Sequence, residues 1–228
     1  MDVLYMIYAL SDDAGKEILT LKGEQYKYLI KVRRHSVGDE LFFRNKEQIK
    51  QLHRYIITDI ESRSATLKLL ETNTQEFKPK KFFHIGWCVI DSKSVEKVLA
   101  SLNEMGVGKV SFVYCERSQK NFKPDIKRYQ RILEASNQQC GRTDFIEFEI
   151  FKNLSSFIDA YPDTQVLDFT PEVLEKESDL LRVLIGCEGG FSPSEKELLQ
   201  NQKRFRFDTP LVLRSESAAL AISAKVLL

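Results

Sequence analysis

The sequence predicts an α+β chain of two domains, a small N-terminal β-barrel followed by an α/β domain, and three observations carry that expectation. Residues 1 to about 72 hold short apolar runs around one helical stretch and no long helical period. From about residue 80 on, strand-like and helix-like segments alternate, the pattern of a parallel sheet covered by helices. Between them Glu71–Glu76 is polar and free of apolar residues, and Lys78-Pro79-Lys80-Lys81 follows. The domains are therefore expected at 1–72 and 80–228, with a linker at about 73–79.

In the first part, Leu4–Tyr8, Glu40–Phe43, Tyr55–Ile57 and Ala65–Leu70 read as strands. Ser36-Val37-Gly38-Asp39 is a turn ahead of the second of them. A short helix is expected from Gly23 to Val32, with Tyr26, Leu29 and Ile30 on its apolar face. Arg33 and Arg34 at its end complement the helix dipole.

In the second part, Phe82–Ile90 is strand-like, and Asp91-Ser92 caps a helix with the stripe Val95, Val98, Leu99, Leu102 and Met105, which Gly106 ends. Val110–Tyr114 is the next strand. Pro124 opens a second helix with Ile126, Tyr129 and Leu133 inward, and Gly141 closes it. Phe145–Phe151, Val166–Phe169 and Arg182–Ile185 supply further strands, with a helix near Leu154–Tyr161.

The net charge of +1 hides an asymmetry. From Lys78 to Arg142 there are thirteen Lys/Arg against six Asp/Glu, whereas from Ile146 on there are nine against fourteen. Such a contrast within one chain marks a surface for a polyanion, and nucleic acid is the expected partner. No apolar run approaches the roughly 20 residues of a membrane span. Asp2 and the lack of a basic flank argue against a secretory signal, so a cytoplasmic protein is expected. Cys88, Cys115, Cys140 and Cys187 show no metal-ligand spacing and read as reduced thiols, and no metal is expected. His35, His53 and His84 read as barrel or strand residues, which argues against covalent catalysis.

One stretch organises the rest, Leu184-Ile185-Gly186-Cys187-Glu188-Gly189-Gly190-Phe191-Ser192-Pro193-Ser194-Glu195. A buried strand stops at Gly186, and three glycines in five residues permit positive φ and close approach of a ligand. Ser192 is the expected N-cap, with Pro193 at the first helical position and Glu195 completing a capping box. Glu188 argues against a phosphate cradle, and no Lys-Ser/Thr follows the glycines, which excludes a Walker loop. The second element is Leu211-Val212-Leu213-Arg214-Ser215-Glu216-Ser217-Ala218-Ala219.

Together the two elements resemble the SPOUT methyltransferases, most closely the 16S rRNA (uracil-N3)-methyltransferase family. That family carries a Gly-Pro-Glu-Gly-Gly-Phe-Ser loop and, some twenty residues on, Leu-Arg-x-Glu-Thr-Ala. Here Cys187 stands for the proline and Ser217 for the threonine. The resemblance covers essentially the whole chain, because Val32-Arg33-Arg34 and Val37-Gly38-Asp39 match the family's N-terminal Val-Leu-Arg and Val-Gly-Asp, with Arg33 in place of leucine.

The resemblance implies a PUA-like RNA-binding barrel, then an α/β domain whose C-terminal part is a deep trefoil knot, and a homodimer. It implies S-adenosylmethionine as cofactor, held by the loops at Asp168-Phe169-Thr170, at Gly186 to Ser192 and at Thr209 to Ser217. The cofactor-binding residues are then Asp168, Phe169, Thr170, Gly186, Glu188, Gly189, Gly190, Phe191, Leu211, Leu213, Arg214, Glu216 and Ser217. Apolar walls and backbone groups suit adenine, and carboxylates suit a sulfonium where a phosphate site would want none. Methylating uracil N3 requires stabilising negative charge on the ring oxygens, which arginine does well. Arg214 is the first choice for that role, with Arg117 and Arg142 as further catalytic or RNA-binding positions beside Arg33 and Arg34. The substrate is expected to be 16S rRNA, within the small ribosomal subunit. The competing expectations are a ribose 2′-O-methyltransferase and an RNA-binding assembly factor without catalysis.

Overall fold

The computed structural model describes residues 8–119, 121–174 and 180–228. The chain forms two compact units: residues up to Lys78 together with Asn137–Asp144, and Pro79–Ser136 together with Phe145–Leu228.

The first unit is a curled five-stranded sheet. Its strands are β1 (Ala9–Leu10), β2 (Ile18–Lys22), β3 (Glu40–Arg44), β4 (Gln51–Ile60) and β5 (Ser64–Thr74), in the order β1-β3-β4-β5-β2. β1 runs parallel to β3, and the other pairings are antiparallel. Register shifts between Arg54 and Tyr55 and between Ile57 and Asp59 let the long β4–β5 pair bend. The edges β1 and β2 do not pair with each other, so the sheet is a half-barrel among the described residues.

Between β2 and β3 runs α1 (Gly23–Tyr26), which continues as a π-helical stretch, Lys27–Val32. Tyr26, Leu29 and Ile30 bury against Leu19, Leu21, Phe43, Tyr55 and Leu67, the inward face the periodicity predicts. Of the predicted strand Leu4–Tyr8, residues 4–7 lie outside the described residues. The run expected to open a linker is instead the end of β5: Glu71 to Thr74 pair with Arg54 to Gln51. Its polarity reflects a hairpin arm exposed to water, which composition cannot tell from a linker.

The second unit is a six-stranded parallel sheet: β6 (His84–Cys88), β7 (Lys109–Val113), β8 (Glu147–Phe151), β9 (Gln165–Leu167), β10 (Arg182–Ile185) and β11 (Arg204–Phe205). The order is β11-β9-β10-β6-β7-β8, so β10 lies between two strands that precede it in the chain. Every residue of β6 is buried, as expected of a strand covered on both faces. The helices are α2 (Ser92–Met105), α3 (Ile126–Cys140), α4 (Leu154–Ala160), α5 (Pro193–Leu198) and α6 (Ser215–Leu227). Asp91 caps α2 by accepting from Ser94 N–H at 3.0 Å, and Gly106 ends it at φ 101°. The two-residue strand β11 is too short for any alternation to announce it.

Cys88 and Cys115 sit side by side, Cα atoms 5.8 Å apart, close enough for a disulfide to close between them, a pairing that the reading of four separate reduced thiols does not contain. They follow one another at the ends of neighbouring parallel strands, a proximity that spacing in sequence does not reveal.

Gly86 sits at the centre of β6, where a Cβ would come 2.3 Å from Cζ of the buried Phe157. Gly86→Ala is expected to destabilise the protein by about 1–3 kcal/mol through overpacking. Urea denaturation checks this, and a second change, Phe157→Leu, should recover part of the loss.

Candidate functional site

Three neighbouring strands, β11, β9 and β10, end at the same edge of the sheet, and the loops that leave them enclose a cavity of about 580 Å³. Open α/β sheets bind ligands at the carboxyl ends of their strands, and the volume falls within the range for small molecules. After β9 come Asp168 and Phe169, after β10 Gly186 to Phe191, and after β11 Arg206 to Arg214.

The glycine loop is built as the sequence predicts at its far end. Ser192 Oγ accepts from Glu195 N–H at 3.2 Å, and Glu195 Oε2 accepts from Ser192 N–H at 2.9 Å. Pro193 opens α5, completing the capping box. Glu195 is buried and does more than cap, because its Oε1 accepts from Glu116 N–H at 2.8 Å, tying the loop after β7 to the glycine loop.

Of the three glycines only Gly190 takes a positive φ, 64°, where its N–H closes a turn onto Cys187 O at 2.9 Å. The expectation that all three supply such freedom is corrected. Gly189 is small for a different reason: a Cβ there would lie 3.3 Å from Cβ and Cδ of Arg117. Arg117 donates from Nη1 to Gly189 O at 2.7 Å, so this arginine braces the loop from behind.

The base of the cavity is fastened by Ser215. Its hydroxyl donates to Gly186 O at 2.7 Å and accepts from the indole N–H of buried Trp87 at 2.8 Å. Strand β6, the glycine loop and the first turn of α6 are thereby held together. Arg214, the residue before α6, lends its carbonyl to Ala218 N–H at 2.8 Å. Its side chain is exposed at the cavity wall, without an ion-pair partner among the described residues.

The structure brings Asp168, Phe169, Gly186, Glu188, Gly190, Phe191, Leu211, Leu213 and Arg214 to this wall. Thr170, Gly189, Glu216 and Ser217 are not among the residues that line it. Arg206, Phe207, Cys187, Ser215 and Ala218 line it without having been singled out as ligands. Arg206 and Phe207 follow directly on β11, so missing that strand hid them. The Cys187 thiol is pushed up by burial and stays protonated, which suits a wall and not a nucleophile.

Arg142 belongs to the first unit and is 5% exposed. Its Nε and Nη2 reach the two carboxylate oxygens of Asp144 at 2.7 and 3.1 Å. That bidentate pairing makes Arg142 a brace of the segment after α3. Arg33 and Arg34 lie at the exposed end of the π-helical stretch. No group of three His, Cys, Asp or Glu able to hold a metal ion occurs among the described residues, and no described helix is long and apolar enough to cross a membrane.

Glycine loop, apolar cavity and parallel sheet together define the catalytic domain of an RNA methyltransferase: residues 77–227 match the family model of the RNA methyltransferase domain. The chain is 37% identical over 215 residues to the ribosomal RNA small subunit methyltransferase E of Helicobacter pylori strain 26695, covering 92% of this chain and 95% of that one. It is 24% identical over 172 residues to the enzyme of the same name from Aquifex aeolicus, covering 71% and 75%. In fold it is similar to a Legionella pneumophila methyltransferase solved with S-adenosylmethionine, at TM-score 0.74, 20% identity and coverage of 96% and 95%. A Neisseria gonorrhoeae ribosomal RNA small subunit methyltransferase E gives TM-score 0.72 at 16% identity, covering 96% and 95%. The chain belongs to the ribosomal RNA small subunit methyltransferase E family.

Proposed function

We propose that the protein methylates N3 of a uridine in 16S rRNA, with S-adenosylmethionine as the donor. One observation carries the reading: a single cavity joins an apolar wall, two carboxylates and the guanidinium of Arg214. When bound, S-adenosylmethionine supplies a methyl group made electrophilic by its sulfonium. The residues present fit it. Leu211, Val212 and Leu213 offer an apolar wall, the turn at Gly190 offers backbone groups, and Asp168 and Glu188 favour a cation over a phosphate.

For uracil N3 to take a methyl group its proton must leave to solvent, and the negative charge spreads over the two flanking carbonyl oxygens; the bond broken would be the sulfonium's S–CH3 bond, with the neutral thioether as leaving group. Arg214 supplies a planar fork that matches two acceptors and stays charged throughout. Arg117 and Glu195 hold the glycine loop in place while this happens.

The first unit, residues up to Lys78 with Asn137–Asp144, is the RNA-binding part, a PUA-like domain, and the second unit is the methyltransferase domain. The position of β10 between β6 and β9 supports a chain threaded as a trefoil knot. Two copies of the chain pair as a homodimer. The substrate is met in the cytoplasm, within the small subunit.

Incubation with 16S rRNA or small subunits and methyl-labelled S-adenosylmethionine, followed by digestion to nucleosides, is expected to yield labelled 3-methyluridine. A ribose-methylated product would assign the alternative chemistry. Failure to bind S-adenosylmethionine at all would leave an RNA-binding assembly factor.

The loop itself is tested at Gly190. Valine there must adopt a left-handed conformation that costs about 1–2 kcal/mol or more. Gly190→Val is therefore expected to weaken S-adenosylmethionine about tenfold or more by calorimetry, with Gly190→Asn much milder.

A further inference from the structure

We infer that Tyr28 and Arg33 form a preassembled platform on which an unpaired RNA base stacks, an inference that rests on RNA being the substrate. The local geometry has a definite cause. In the π-helical stretch Arg33 N–H donates to Tyr28 O, five residues back, at 2.9 Å. That wider turn aligns side chains five apart, where an α-helix would align those three or four apart. Arg33 consequently lies over Tyr28, its guanidinium carbon 5.4 Å from the ring centroid. Its Nε and Nη2 both donate to the Tyr28 hydroxyl, at 3.0 and 2.9 Å. The ring is thus fixed before any ligand arrives, yet Tyr28 remains 50% exposed.

The surroundings select the ligand. Val32, four residues on in the same helical stretch, is exposed as well, apolar surface that a base covers and a phosphate does not. Between Lys22 and Asp39 there are five Lys/Arg against two Asp/Glu, the sign that a polyanion requires. Arg34 holds φ 62° without being glycine, the one described non-glycine residue in that region. The left-handed turn ends the helical stretch and leaves the Arg34 side chain exposed. Aromatic rings and arginine planes capture splayed-out bases of single strands, whereas duplex RNA hides its bases from such a surface. The partner is accordingly a single-stranded or looped RNA segment, with Arg34 on its backbone. Arg33, the residue that departs from the family's leucine, serves here as the back wall of the platform and not as a phosphate contact.

The test uses the full-length protein and fluorescence anisotropy with a labelled single-stranded RNA oligonucleotide taken from 16S rRNA, its duplex, and S-adenosylmethionine binding as a fold control. Tyr28→Ala is expected to weaken single-strand binding about 5- to 150-fold, with cofactor affinity and melting temperature unchanged. Tyr28→Phe should keep most of the affinity, because the ring survives. Arg33→Leu should weaken binding without changing the salt slope, whereas Arg34→Ala should lower that slope by roughly one counterion. Equal losses on single strand and duplex would overturn the inference, as would wild-type binding by Tyr28→Ala. Loss of small-subunit association with RNA affinity intact would also overturn it, since the partner would then be a protein. These readouts need no turnover, so a failure of the methylation assay alone leaves this result separately legible.

Discussion

Arg214→Ala is expected to lower turnover by about 10² to 10³, equivalent to roughly 3–4 kcal/mol, while S-adenosylmethionine affinity stays nearly unchanged. The guanidinium stands at the cavity wall without an ion-pair partner among the described residues, and its removal breaks no brace of the fold. Its contribution is therefore to the charge that develops on the uracil. Raising pH should partly rescue the variant, because more of the base is then ionised before it reacts. Arg214→Lys should recover only part of the rate, since an ammonium is a point charge without the fork. A structural role would instead appear as a lower melting temperature with no pH rescue. A role in RNA binding alone would raise KM and spare kcat. Single-turnover rates across pH, beside calorimetry with the cofactor, separate the three, and a pH-independent defect that vanishes at saturating RNA would remove Arg214 from catalysis.

What the sequence makes legible is local. The capping box at Ser192–Glu195, the cap at Asp91 and the stop at Gly106 are written within a few residues, and each forms as read. The stripe from Val95 to Leu102 is buried as its period requires. The glycine loop and the Arg214 element are recognisable because their chemistry is concentrated in contiguous residues.

What escapes depends on pairing between distant segments. β11 is two residues long and owes its existence to β9 beside it. The proximity of Cys88 and Cys115 needs the β6–β7 register. Asn137–Asp144 follows the first unit although it lies deep within the second part of the chain, where no composition shift marks it. The π-helical turn that places Arg33 over Tyr28 likewise reads as ordinary helix in the sequence.

The largest of these hidden features surrounds His84, and it makes stability depend on pH. His84 is 1% exposed, and Arg182 Nε donates to its Nδ1 at 2.8 Å. The proton of the neutral ring must then sit on Nε2, which faces Ser111 Oγ at 2.8 Å, while Ser111 donates on to Glu149 Oε2 at 3.2 Å. Lys109 and Tyr161 also reach Glu149, at 2.9 and 2.8 Å. Burial, then the positive charges of Arg182 and Lys109, push His84 down from 6.5 to about 3. The unfolded chain takes up a proton near pH 6.5 that the folded protein refuses, so stability is fully present above that pH and is lost as pH falls toward 3. That displacement corresponds to at most about 4–5 kcal/mol. Burial alone would raise Glu149, but hydrogen bonds from Lys109 and Tyr161 hold it low, so it adds a loss of the same sign further into acid. His53 is also held low, by burial and then Arg44, and leaves a residual slope. His84→Gln keeps an acceptor for Arg182 and a donor for Ser111 but cannot titrate. Between pH 5 and 6.5 its stability curve should be shallower than the parent's by about one half to one proton, at most about 1.4 kcal/mol per pH unit. Urea denaturation across pH measures the slope, and the His84 ring resonances followed by NMR should stay those of a neutral imidazole down to about pH 4. Equal slopes in parent and variant, or a ring that titrates near 6.5, would show that this network does not hold His84 neutral.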